Sequence, residues 1–300
     1  MKKVLSKVKN LFVEKNRKKS ESELLAIGSL LSKQIKLSNS KKINDHEFKI
    51  FSQWGDDGII QYLIQNIEIE NKCFIEFGVE DYLESNTRFL MMNDNWEGFV
   101  MDGSTDAINL LKSQIWFWKF SLTAKSIFIN IENINFLLAE TGYKNIGLLH
   151  IDLDGNDYHI FNALDLGVLN PNIIITEYNS VFGKSRAITV PYDEKFYRTN
   201  KHFSNLYWGA SLTALNKLAN QRGYALVYCN LAGNNAYFVR RDLLNSNVFE
   251  ISVEEAFKES KYRESRDQQG NLTYLKNSER YLQIKGMEVL NVNTGEIENL

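Results

Sequence analysis

At 300 residues the chain is long enough for one large core, and a single α/β domain with extensions accounts for that length. A formal charge of −2 argues against a nucleic-acid binder. Cys73 and Cys229 stand far apart inside apolar runs and belong to no CxxC or Cys/His cluster, which reads as buried free thiols in a reducing, cytoplasmic compartment. Two prolines, Pro171 and Pro191, leave no Pro-rich linker, and no apolar run approaches the length of a membrane-spanning helix.

The first twenty residues, MKKVLSKVKNLFVEKNRKKS, carry eight Lys/Arg and one Glu, with Val4, Leu5, Val8, Leu11 and Phe12 on one helical face. One reading is weak peripheral attachment to an anionic inner-membrane surface, at roughly 1 kcal/mol per basic residue. The other is a solvated extension or a homo-oligomer contact, favoured by the shortness of the apolar face. SESELLAIGSLLSKQIKL then predicts a helix capped by Ser20 or Ser22. FKIFSQWGDDGIIQYLIQNI reads as a turn feeding a second helix.

Short apolar segments and helical ones alternate from there. KCFIEFG, GFVMDG, SLTAKSIFI, IGLLHIDLDG and NPNIIITEYN read as strands, with helices in TRFLMMND, TDAINLLKSQI, ENINFLLAETG and DYHIFNALDLG. Strands that are apolar throughout and alternate with helices form a parallel sheet covered on both faces. After the helix SLTALNKLANQRG, the strands YALVYCN and AYFVRR are joined only by LAGNN, too short for a crossover, so they pair antiparallel. The expected architecture is therefore a Rossmann-like α/β fold: a mainly parallel sheet closed by a C-terminal antiparallel hairpin, with helices on both faces. That ending resembles the class I methyltransferase fold, which depends on S-adenosylmethionine (SAM), and differs from the repeating βαβ units of a dinucleotide-binding domain. The organisation predicted is a basic extension over 1–45, a SAM-binding domain over 46–245 and a charged extension over 246–300. Within that last stretch EEAFKESKYRESRD reads as a helix, in which Arg263 and Arg266 could meet an anionic acceptor or form a surface ladder.

Ligands of open α/β sheets bind at the C-terminal strand ends. Glu76 and Gly78 end the first strand, and Asp102 and Gly103 end the second. Asp102 follows Gly78 by 24 positions, near the spacing at which a carboxylate meets ribose hydroxyls, although a helix N-cap would also explain it. After Gly78, where related turns carry small residues, this chain has Glu80 and Tyr82. An acidic turn without glycines repels a pyrophosphate but tolerates SAM, which has no phosphate and carries a sulfonium cation, an amine and a carboxylate.

Six segments in order, FSQWGDDGIIQYLI, FIEFGVEDYLESNTRFL, WEGFVMDGS, LLHIDLDGNDYHIF, IIITEYN and WGASLTALNKLANQRGYALVYCN with NNAYFVRR, resemble a subgroup of the FkbM-like methyltransferases. The resemblance spans about Phe48 to Arg241 and implies O-methylation of a hydroxyl on a sugar, glycan or related small metabolite. It also implies that Gln53 lines the amino-acid end of the cofactor and that Asn86 and Thr87 open the helix beneath it. Bottom-up, SQWGDDG is equally a good turn and N-cap.

Methyl transfer requires an acceptor oxygen in line with the methyl group and a base for its proton. The fourth strand ends in Asp152, Asp154, Asn156 and Asp157, and the fifth in Glu177 and Asn179. Asp152, Glu177 and Asn179 form a candidate Mg²⁺ set, similar to catechol-type methyltransferases but with the last pair one residue further apart. An acidic helix-capping turn is the alternative. Without metal, the base falls to Asp152, His150 or His202, the last in a segment whose Tyr207 and Trp208 either stack on a sugar or pack in the core. A non-catalytic binding module retaining the same fold is the competing functional class.

Overall fold

A computed structural model describes the backbone of residues 2–262 and 264–300 and the side chains from Ser20 onward within them. In chain order the elements are α1 (Lys2–Leu37), α2 (Asp56–Asn66), β1 (Asn71–Phe77), α3 (Arg88–Asp94), β2 (Glu97–Asp102), α4 (Thr105–Lys112) and β3 (Leu122–Ser126). Then come α5 (Ile134–Thr141), β4 (Ile146–Ile151), α6 (Asp157–Ala163), α7 (Leu166–Leu169), β5 (Ile173–Glu177), β6 (Ile188–Thr189) and α8 (Arg198–Lys201). The chain closes with α9 (Leu212–Gln221), β7 (Tyr224–Cys229), β8 (Asn235–Arg240), α10 (Val253–Ala256), α11 (Ser278–Ile284), β9 (Glu288–Asn291) and β10 (Ile297–Asn299).

Seven strands form one sheet in the order β3-β2-β1-β4-β5-β8-β7. The first five are parallel to their neighbours, and β8 runs antiparallel to both β5 and β7. This is the Rossmann-like class I methyltransferase fold. Successive residues of a strand point to opposite faces, so β1 sends Phe74 into one core and Ile75 into the other. Burial on both sides explains why these strands read as unbroken apolar runs. The order reverses between β1 and β4, where β1 leads outward to β2 and β4 outward to β5, and the crevice beyond the strand ends at such a reversal is where open α/β sheets bind their ligands.

The extensions differ from their sequence reading. Helix α1 runs unbroken through Ser20 and Ser22, so neither residue caps it. The side chains of the basic, amphipathic face at Val4–Phe12 lie outside the described residues. Further along, Gly28 brings α1 close to α3: a Cβ there would fall 2.5 Å from Phe89 Cε2. The charged C-terminal stretch is not a long helix. Ser252 and Glu255 make a capping box that starts α10, but the helix stops after one turn. Tertiary bonds replace the next helical ones: the Tyr178 hydroxyl donates to the Lys258 carbonyl (2.8 Å) and accepts from its N–H (3.2 Å). Arg263 lies outside the described residues. Beyond it, β9 pairs with β6 and with β10 in a second, three-stranded sheet, over a core containing Ile188, Trp208 and Val289. Among the described residues no helix is long and apolar enough to cross a membrane.

Candidate functional site

The turn after β1 keeps a glycine-type backbone without the glycines. Gly78 has φ +70°, and a Cβ on it would overlap the carbonyl oxygen of Asp152, so this position requires glycine. Glu80 and Tyr82 follow at φ +45° and +61°, in the left-handed region that costs an L-residue about 1–2 kcal/mol. Tyr82 offsets that cost by full burial and a 2.7 Å hydrogen bond between its hydroxyl and Thr87 Oγ1. Glu80 is exposed and has no such compensation. Burial of its carboxyl, then repulsion from Asp102, Asp154, Asp81 and Glu84, raises its pKa.

Beneath the turn lies a closed polar network. Glu76 is 2% exposed and accepts from Ser85 Oγ (2.6 Å), the Asn86 N–H (3.1 Å) and Thr87 Oγ1. Its neighbour in register, His150, meets Glu76 Oε1 through Nδ1 at 2.8 Å, and Asn86 Nδ2 lies 3.2 Å from His150 Nε2. In that network Nδ1 is the ring nitrogen that faces the Glu76 carboxylate. Burial alone would raise the Glu76 pKa, but His150, Ser85 and Thr87 together hold it below the usual carboxylate value. Sequence reasoning took Glu76, Asn86 and Thr87 as cofactor contacts and kept His150 as a base. The structure spends all four side chains on one another, and they position the turn above them.

The SQWGDDG turn packs on the same loop, with the Ser85 N–H donating to the Phe51 carbonyl (3.0 Å). Asp57 Oδ2 gathers the N–H groups of Ile50, Phe51 and Ser52 at 2.6–2.9 Å. Even so, burial pushes its pKa up to about 6. Asp56 Oδ1 accepts from Asn230 and Asn235, both at 3.0 Å, and from the Tyr237 hydroxyl, tying the turn to the β7–β8 hairpin. Gln53 is exposed at the tip of this turn, where its carbonyl accepts from Lys49 Nζ (2.7 Å).

At the end of β2, Asp102 accepts from the Glu80 N–H (2.8 Å) and the Ser104 N–H (2.7 Å). Ser104, not Asp102, caps α4. Each Asp102 oxygen retains a lone pair for a ligand hydroxyl. Gly103 is exposed beside Phe128, whose Cδ2 lies 3.2 Å from where a Cβ would stand. Phe128 is 55% exposed at the end of β3 and offers a flat apolar surface to the crevice. The sequence reading absorbed it into a strand; an aromatic at a strand's C-terminal end was the available signal.

Opposite stand the carboxylates. Asp152 and Asp154 lie past the end of β4, in a turn where Asp154 takes φ +52°, so strand alternation does not govern them. Asp157 holds that turn by accepting from the Leu153 N–H (3.0 Å) and the Gly155 N–H (3.1 Å), and burial pushes its pKa up to about 6. Burial, and then Glu177, Asp154, Asp157 and Glu76, raise Asp152 well above the usual carboxylate value. Glu177, which accepts from Asn234 Nδ2 (2.9 Å), is raised by burial and by Asp154 and Asp157. Among the described residues Arg198 reaches this group, 3.7 Å from Asp154 and 3.5 Å from Glu264.

The Mg²⁺ set does not fit this arrangement. Asn179 accepts from the Val181 N–H (3.0 Å) and donates to the carbonyls of Leu206 and Trp208, both at 2.9 Å, leaving its side chain committed to loop structure. Among the described residues no three His, Cys, Asp or Glu side chains converge as metal ligands. His202 Nδ1 meets Ser204 Oγ (2.7 Å), its ring leans on Phe203, and no described bond joins it to Asp152. Tyr207 and Trp208 are buried in the core under β6 and β9. The aromatics placed near Glu177 are instead Tyr262 and the Trp54 it stacks on, with centroids 6.0 Å apart and planes 20° apart.

No protein-family model matches the chain, and no curated protein matches it significantly. Among solved structures it is similar to an O-methyltransferase from Bacillus cereus in complex with S-adenosylhomocysteine (SAH), at 12% identity over 74% of this chain and 90% of that one, TM-score 0.44. It is similar to the N-terminal domain of EvdMO1 with SAH bound, at 9% identity over 63% and 80%, TM-score 0.41. TrmK from M. capricolum with SAH matches at 11% identity over 66% and 74%, TM-score 0.39. The fold assignment rests on the strand order and register of the sheet.

Proposed function

We propose that the protein is a SAM-dependent O-methyltransferase acting on a hydroxyl of a sugar, glycan or related metabolite. The observation that carries this reading is the antiparallel β8 between β5 and β7, in a sheet whose crevice at the β1–β4 reversal is lined by carboxyls. The residues fit the cofactor. Asp102 offers free lone pairs to ribose hydroxyls, Phe128 and exposed Gly103 offer a surface to adenine, and Gln53 stands at the far end. Burial first, and then the repulsion among neighbouring carboxylates, raises the pKa values of Asp152, Glu177 and Glu80. SAM, with a sulfonium and an ammonium against one carboxylate, brings a net positive charge, whereas a pyrophosphate would add to the repulsion.

When bound, SAM supplies a methyl group on a cationic sulfur. Asp152, at the end of the strand beside Glu76, receives the proton of the acceptor hydroxyl. Glu76, through Ser85, Asn86 and Thr87, holds the cofactor turn, and Glu177 borders the acceptor side under Tyr262. Calorimetric titration with SAH should give saturable heat, and labelled SAM should mark a hydroxyl-bearing fraction of host glycans. Absence of heat with both SAM and SAH would return the chain to a non-catalytic binding module.

A further inference from the structure

We infer that a second pocket, next to the crevice, binds a phosphate-type anionic group carried by the methyl acceptor. For the word acceptor this rests on the methyltransferase reading. The pocket has a volume of about 670 Å³ and lies between the segment after β5 and the C-terminal stretches around Tyr262 and Lys276. Among the described residues five cations line it, Lys184, Arg186, Lys261, Lys276 and Arg280, against one carboxylate, Glu259. Glu298 already pairs with Arg186 at 2.9 Å.

Arg280 is the telling group. It is 7% exposed, its Nε has no hydrogen-bond partner, and no described carboxylate lies within ion-pair distance of it. Its guanidinium lies 5.8 Å over the Tyr262 ring. A buried guanidinium without a counter-ion costs several kcal/mol, and its planar fork matches two oxygens of a phosphate. Burial lowers its pKa, as expected of a cation lacking its anion.

Tyr262 joins the two sites. It lines this pocket, stacks on Trp54 and feels the charge of Glu177. An acceptor held by its anion at Arg280 therefore extends past Tyr262 toward Glu177 and Asp152. The volume suits a sugar-sized group better than a lone ion.

The full chain is titrated calorimetrically at low salt with glucose 1-phosphate, inorganic phosphate and glucose. We expect saturable binding of glucose 1-phosphate, tighter than that of inorganic phosphate, and none of glucose. Arg280→Gln should weaken it roughly tenfold or more, the scale of one charge-assisted hydrogen bond. Exposed Lys184→Gln and Lys276→Gln, which leave the fold intact, should weaken it severalfold. Binding that none of the three variants changes, or no binding of either phosphate, overturns the pocket assignment. Equal affinity for glucose 1-phosphate and inorganic phosphate overturns the acceptor assignment in favour of a free anion. SAH titrated into the same samples keeps the readings apart: its affinity should be the same in wild type and variants. Anion binding without SAH binding would remove the methyltransferase reading and with it the acceptor assignment.

Discussion

At the scale of single residues, chemistry and strain gather within one crevice. Asp152→Asn preserves size and removes the proton-accepting charge, so turnover should fall about 10²–10⁴-fold with SAH affinity little changed. Because Asn179 is consumed by its loop, EDTA should leave wild-type turnover unaltered; loss restored by added Mg²⁺ would contradict the site described here. Glu80 is left-handed, exposed and crowded by carboxylates, so Glu80→Gly should raise stability by about 1 kcal/mol, read from the urea midpoint. A lower midpoint would mean the side chain makes a stabilising contact. The sequence displayed the missing glycines at 80 and 82, but not that the backbone would keep a glycine conformation regardless. Nor could it show that Glu76, Asn86 and Thr87 face one another, because pairing with His150 across 74 positions exists only in the folded sheet.

At the scale of elements, most strands and helices were legible, since buried parallel strands and amphipathic helices write periods into the chain. The hairpin was legible because five residues cannot cross a sheet. The failures came where tertiary partners overrule local preference. EEAFKESKYRESRD has the composition of a helix, yet Tyr178 captures the backbone of Lys258 and turns the chain toward the site. Trp208 was ambiguous because β9, which covers it, arrives 80 residues later. Two substitutions test these packings. Gly28→Val should clash with Phe89 and loosen α1 from α3, costing about 1–3 kcal/mol by chemical denaturation. Val289→Asp buries a charge in the small sheet's core and should cost about 3 kcal/mol or more, seen as lost solubility or a lowered melting temperature. Wild-type stability in either variant would show that the segment does not pack as described.

For the molecule as a whole, buried acids set the response to pH. Burial holds Asp57 and Asp157 up to about 6 and keeps Asp152 and Glu177 raised as well. From about pH 4 upward the folded state therefore binds more protons than the unfolded chain, and stability falls as pH rises through those values. Glu76 acts in the other direction, its contribution present above the ordinary carboxylate pKa and lost on further acidification. The melting temperature should be higher at pH 5.5 than at pH 8.5; a flat or rising profile would mean these carboxyls ionise freely. The position of β8 has a last consequence, for the growing chain on the ribosome. Since β8 separates β7 from β5, β7 is synthesised before β8, the strand it pairs with among the described residues. Its six buried residues must wait unpaired until β8 emerges and slides in beside β5. A pause that leaves β7 outside the ribosome with β8 still inside would prolong that wait, leaving one sticky, unplaced strand for chaperones to hold.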